Sequence, residues 1–138
     1  MHFQLISASG VKYDGDAYEV LAPTKGGVIA IFKDHMPLLA SGAPGVLSVR
    51  KKPSDKDMEH FAVYGGVVQT DGKSTRFVTD DVTTTEEVSE AEAQSALERA
   101  QALVEGAETR EALHEARNVL HHHEVRLQLA QLKTRHHR

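Results

Sequence analysis

Cysteine is absent from the 138 residues, which excludes a disulfide framework and any thiolate metal site. A long apolar run is also missing. The longest uncharged apolar-rich stretch is FAVYGGVV, far short of the roughly 20 residues that span a bilayer. The opening MHFQLISASG has neither a basic n-region nor a long apolar h-region, so no secretory signal is expected. Net positive charge is lacking too: the chain carries −4, which argues against a nucleic-acid-binding surface over its whole length. No HExxH pattern occurs, and neither Gly26-Gly27 nor Gly65-Gly66 is followed by Lys-Ser or Lys-Thr at phosphate-loop spacing. These absences predict a soluble protein with no cofactor and no metal. Any association with a membrane then goes through partners, without direct insertion. Apolar residues make up 40% of the chain, enough for one compact domain and an appendage.

What is present is divided unevenly. All four prolines, nine of the ten glycines and all seven Phe and Tyr residues lie before Thr85. After it come Ala, Leu, Glu, Arg and His, with Gly106 as the one glycine. Gly, Pro, β-branched and aromatic residues suit short strands and turns, whereas Ala, Leu, Glu and Arg suit helix. The composition predicts two domains, 1–85 and 86–138.

In the first, FQLIS, AYEVLAP, GVIAIF, GVLSVRK, EHFAVYGG, VVQTD and STRFVTD read as strands. The turn signals between them are Ser9-Gly10, Asp14-Gly15, Gly26-Gly27, Pro44-Gly45 and Asp71-Gly72. Val46, Ser48 and Arg50 alternate with Leu47, Val49 and Lys51. Short strands at such spacing predict an antiparallel β-sandwich or barrel. Pro53 to Asp57 reads as a polar hairpin tip, and Asp71-Gly72 as a type I′ turn.

The second domain reads as an antiparallel helical hairpin, making the fold α+β. Ser89 and Glu92 have capping-box spacing, and the acidic start suits the positive end of the helix dipole. Ala93, Ala96, Ala100, Leu103 and Ala107 recur at helical spacing; Gly106 and Thr109 bracket a break; Leu113, Ala116, Leu120, His123, Leu127 and Ala130 continue on a second helix. Residues 86–108 carry seven Glu and one Arg, and residues 109–138 six Lys or Arg and three Glu. An acidic helix is therefore expected beside a basic one. The narrow alanine-rich seam predicts a hairpin of marginal stability by itself.

Individual residues allow more than one reading. His35, before Met36-Pro37, has the chemistry of a general base, but no nucleophile or phosphate loop accompanies it; a contact residue, or a loop residue capping a strand, fits better. His114, His121, His122, His123, His136 and His137 invite a metal reading. Three consecutive histidines diverge by about 100° each on a helix, however, and no carboxylate triad accompanies them. They read as a polar helix face, with His123 packed against the first helix. Asp80-Asp81 reads as the end of a strand.

Three segments carry a family resemblance. Residues 27–50, with Gly27, His35, Pro37, Leu38, Leu39, Pro44 and Gly45, resemble the epsilon subunit of bacterial F-type ATP synthases (the equivalent of the mitochondrial delta subunit). So do residues 61–82, with Gly65-Gly66, Asp71-Gly72 and Asp80-Asp81. The helix opening at 88–101, with Glu98, Arg99 and Ala100, agrees without adding much specificity. The resemblance implies a non-catalytic central-stalk subunit on the cytoplasmic side of the bacterial membrane, peripheral to it. It also implies that the sandwich grips the gamma subunit and the ring of c subunits. His35, Met36, Pro37 and Leu38 are then candidates for the ring contact. The C-terminal helices would regulate ATP hydrolysis, reaching the alpha and beta subunits when extended, with Arg117, Arg126, Lys133 and Arg135 as the candidate basic surface. Some members bind ATP through Ile-Asp-x-x-Arg-Ala. Here the segment is Val88-Ser89-Glu90-Ala91-Glu92-Ala93; Ser89 and Glu92 depart from that motif, and Glu115 and Val119 fall where basic residues are expected. Reversing charge at a phosphate contact is unfavourable, so no nucleotide site of this form is expected. A further departure is Ala30, where the family often has glycine. The alternatives are a free-standing sandwich adaptor that oligomerises through its hairpin, and a sandwich enzyme such as a histidine-based metal hydrolase or a lyase.

Overall fold

The computed structural model describes residues 1–136, with side chains through Lys133. The chain forms two compact units, Met1–Thr83 and a second beginning at Thr84. The strands are β1 (His2–Ser7), β2 (Gly10–Asp16), β3 (Glu19–Thr24), β4 (Gly27–Phe32), β5 (Leu38–Arg50), β6 (Glu59–Thr70), β7 (Ser74–Val78) and β8 (Val82–Thr84). They hydrogen-bond in the order β2-β1-β7-β6-β5-β3-β4, with β8 also on β6.

Two long strands shape this unit. β5 and β6 pair antiparallel from Leu38↔Thr70 to Val49↔Glu59. The first half of β5 and the second half of β6 join β7, β1 and β2; the remaining half of β5 joins β3 and β4. The two layers thus share two strands that bend where Gly42 meets Gly66. The bend needs glycine. A Cβ on Gly42 would lie 2.7 Å from the Phe77 ring, and one on Gly66, at φ +129°, 2.0 Å from the Val78 carbonyl oxygen. Inside lie Phe3, Leu5, Val20, Ile31, Leu47, Val49, Phe61, Val63, Val68 and Phe77, all buried.

Several local expectations are corrected. Gly10–Asp16, unassigned from sequence, is β2, so Asp14-Gly15 lies within a strand. EHFAVYGG and VVQTD are one strand, β6; Gly65 and Gly66 take positive φ inside it without ending it. Pro44-Gly45 lies inside β5. Proline has no N–H to donate, and Pro44 sits where the ladder to β3 is interrupted, between the Leu21↔Ser48 and Thr24↔Gly42 pairs. The sandwich is not wholly antiparallel either: β1 runs parallel to β7, a pairing across most of the unit that local turn signals cannot reveal. The Asp71-Gly72 turn is not type I′. That type needs positive φ at both central residues, and here Gly72 alone has it. The Asp71 carboxylate accepts from the N–H groups of Lys73 (2.9 Å) and Ser74 (2.7 Å), which lowers its pKa, Ser74 contributing most.

In the second unit a 3-10 turn (Thr85–Glu87) precedes α1 (Glu90–Glu105) and α2 (Arg110–His136). Ser89 caps α1 loosely, its Oγ accepting from Glu92 N–H at 3.5 Å. Gly106 N–H closes α1 on the Ala102 carbonyl at 3.0 Å, and Thr109 Oγ1 caps α2 by accepting from Ala112 N–H at 3.0 Å. The helices return antiparallel: Lys133 Nζ donates to the Val88 carbonyl, 3.3 Å away, just before α1. The buried residues are Ala93, Ala96, Leu97 and Ala100 on α1, and Ala116, Val125, Leu129 and Ala130 on α2. Leu103, expected on the seam, is 58% exposed, and Leu113, Leu120, His123 and Leu127 are half-buried. The stripe rotates along each helix because 3.6 residues per turn does not match a fixed alternation of three and four.

Candidate functional site

The first candidate region is the loop between β4 and β5. It is tied to the β6–β7 turn: Asp34 N–H donates to the Gly72 carbonyl at 2.8 Å, and Asp34 has the one positive φ (66°) of any non-glycine described. A Cβ on Gly72 would stand 2.9 Å from the His35 carbonyl oxygen, so glycine is needed for this approach as well as for the turn. His35 N–H donates to the Phe32 carbonyl at 3.1 Å, and its ring Nδ1 lies 2.7 Å from the Met36 carbonyl. That contact makes Nδ1 the protonated ring nitrogen and uses it to shape the loop.

The four residues proposed from sequence do not present themselves equally. Met36 is 74% exposed and Pro37 is exposed, but His35 and Leu38 are half-buried. Leu39, which was not among them, is 71% exposed. From sequence this strand is expected to begin only at Gly45, whereas β5 begins at Leu38; of two adjacent leucines on a strand one faces outward, and here it is Leu39. An apolar tip carried by Met36 and Leu39 on a braced loop is suited to packing against another surface.

The second region lies along the helices. A groove of about 780 Å³ is lined on α1 by Glu92, Ser95 and Arg99 and on α2 by Val119, His123 and Arg126. Glu115 lines a separate groove nearer the helix connection. Sequence reasoning missed the convergence of Arg99, His123 and Arg126, because these residues lie on two helices and acquire a common face only when the helices pair. The Nδ1 atom of His123 is buried and has no hydrogen-bond partner. Its pKa is lowered by burial first, then by the positive charges of Arg126 and Arg99.

The proposed basic surface is dispersed. Arg117 is exposed and Arg126 half-buried, Lys133 is engaged with the Val88 carbonyl, and the side chain of Arg135 lies outside the described residues. The expected facing of charges does not take the form of ion pairs at Arg117 or Arg126: among the described residues neither has a carboxylate within 4.0 Å. His121 instead pairs within α2, with Glu124 at 3.3 Å. Among the described residues no three His, Asp or Glu side chains gather as a metal site; the side chains of His136 and His137 lie outside that set. Inside the sandwich, Ser48 Oγ lies 2.6 Å from His60 Nδ1, but both residues are buried in the β5–β6 ladder, out of reach of a substrate. No helix among the described residues is long and apolar enough to cross a membrane.

A well-filled β-sandwich with an apolar loop end, followed by a thin-seamed helical pair, defines a two-part α+β protein. Residues 1–85 match the family described as ATP synthase, Delta/Epsilon chain, beta-sandwich domain. The chain belongs to this family. Among its relatives, the ATP synthase epsilon chain of Neisseria meningitidis (serogroup C, strain FAM18) is 30% identical over 134 residues, 97% of this chain and 91% of that one. Two solved structures share the fold at 18% identity. The Euglena gracilis mitochondrial ATP synthase (OSCP/F1/c-ring) matches with a TM-score of 0.80 over 94% of this chain and 79% of the other. The Tetrahymena thermophila mitochondrial ATP synthase central stalk and c-ring matches with 0.62 over 93% and 94%.

Proposed function

We infer that this chain is a central-stalk subunit of an F-type ATP synthase, joining the gamma subunit and the c-ring so that proton-driven rotation is coupled to ATP synthesis. The carrying observation is the epsilon-chain relative that aligns along 97% of the chain, through both sandwich and helices. The packed core suits a part that must transmit torque without yielding. In this reading the subunit itself is non-catalytic, and catalysis belongs to the alpha and beta subunits. It acts on the cytoplasmic side of the membrane, held there by its partners.

Within this reading His35, Met36, Pro37 and Leu38, together with Leu39, form the contact with the c-ring. Met36 and Leu39 supply its apolar area. The helical unit regulates ATP hydrolysis, with Arg117, Arg126, Lys133 and Arg135 meeting acidic surfaces of the alpha and beta subunits when the helices extend. Co-purification tests the stalk assignment. Tagged chain expressed with a gamma subunit runs as a one-to-one complex, whereas a free-standing adaptor runs as a homo-oligomer and overturns it. Met36→Asp together with Leu39→Asp leaves the gamma complex intact and weakens capture of the c-ring; unchanged capture removes the loop from the interface.

A further inference from the structure

His123 occupies an unusual position between α1 and α2. Its Nδ1 is buried without a hydrogen-bond partner, a costly state for a polar atom that a neutral ring tolerates far better than a charged one. The charged side chains of the groove it lines are Glu92 and Arg99 from α1 and Arg126 from its own helix. Glu92 lies in the first turn of α1 and is not among the groups that shift the pKa of His123. The neighbouring His122 ring stands edge-on at 5.7 Å and brings a second titratable imidazole. The local field is therefore set mainly by two guanidinium groups, one on each helix.

We propose that His123 is a protonation latch of the helical pair: the neutral imidazole permits closure of α1 on α2, and the imidazolium drives them apart. Taking up one proton from solvent gives the ring two N–H donors and a charge. In the closed groove that charge meets Arg99 and Arg126, and its buried donor finds no acceptor. Separation of the helices returns the ring to water. The sign follows from linkage. Burial and the two arginines hold the closed-state pKa below the ordinary imidazole value. Between the closed pKa and about 6.5 the open form binds more protons. The latch is thus fully closed above about 6.5 and weakens as pH falls through that window. The closed-to-open ratio falls as the pH is lowered through that window, by no more than about tenfold for each pH unit. The proposal rests on the helices being the regulatory unit; acidification would then free them to extend.

The absence of native cysteine makes the test direct. Gln94→Cys and Gln128→Cys place a donor and acceptor dye on exposed positions of α1 and α2 in the full chain. Energy transfer is followed from pH 7.5 to 5.5 in phosphate-free buffer. The expected result is a falling closed fraction in the otherwise native chain and a flat response in His123→Gln. Equal responses in the two, or none in either, overturn the latch. Should His123→Gln lose helix content at pH 7.5, the His123 ring proton titration by NMR decides instead: a pKa at or above 6.5 overturns it, and a lower one supports it. ATPase assays of a reconstituted complex separate the latch from the regulatory reading. Acid opening in a complex whose hydrolysis is indifferent to deletion of residues 86–138 supports the latch and overturns the brake.

Discussion

The two units bury different things. The sandwich encloses Phe3, Leu5, Ile31, Leu47 and Phe77 at complete burial, gathered around strands that bend at paired glycines. Among the described residues, the two helix seams bury five alanines (Ala93, Ala96, Ala100, Ala116 and Ala130) and only three larger side chains, Leu97 on α1 and Val125 and Leu129 on α2. At roughly 25 cal/mol per Å² of apolar area, the first arrangement resists local opening and the second does not. The contrast fits a stiff connector joined to an element that can change state, since conformational change draws on the least stable part of a structure.

The sharpest way to break this comparison is to hollow the sandwich. Phe77→Ala removes a fully buried ring that touches the Gly42 bend, and a loss of about 3–5 kcal/mol is expected. Urea unfolding of the full chain measures it. A loss below about 1 kcal/mol would show that the sandwich core is not what holds this unit. Leu97→Ala on α1 should cost about 2 kcal/mol, the low end for such a truncation, and should leave the sandwich transition in place. If that transition moves with Leu97, the two units unfold as one and the contrast fails. Residues 1–85 expressed alone should likewise keep a single cooperative thermal transition.

Smaller effects test the helices in their working setting. Deleting residues 86–138 should raise ATP hydrolysis by the reconstituted complex while preserving assembly. Replacing Arg126, Lys133 and Arg135 with alanine should reproduce part of that rise, more at low salt, because exposed charges are screened beyond about 10 Å at 0.1 M. Salt-independent effects would point to packing instead of charge. The smallest expected signal is ATP binding to the free chain. Glu92 places a carboxylate in the groove where the family motif has arginine, so calorimetry with ATP and magnesium should show no saturation in the low millimolar range. Saturable binding would mean that Arg99, Arg126 and the histidines outweigh Glu92.

Much of the architecture was legible locally. The compositional break near Thr85, the helix connection between Gly106 and Thr109, and the Asp71-Gly72 hairpin all depend on backbone preferences that a few residues set by themselves. Legibility ended where a signal had two uses. Asp14-Gly15 and Pro44-Gly45 look like turns, yet each lies in a strand. Gly65-Gly66 looks like a break, yet β6 runs through it, because the glycines serve a bend around Phe77 and Val78 and not a reversal. Of the loop candidates, Met36 was readable as an exposed apolar residue, but Leu39 was separable from Leu38 only once the strand's facing was known.

By itself, then, the amino-acid order determined where most of the strands and both helices lie, that the two kinds are segregated along the chain, and that the family resemblance runs through Gly27–Arg50 and Phe61–Val82. These follow from local steric preference, turn chemistry and periodicity. Tertiary structure alone decided that β1 lies parallel to β7, that β5 and β6 serve both layers of the sandwich, and that Arg99 on α1 joins the α2 residues His123 and Arg126 in one groove. Each of these is a contact between residues far apart in the chain. Its energy depends on which surfaces are brought together, and no local preference encodes that.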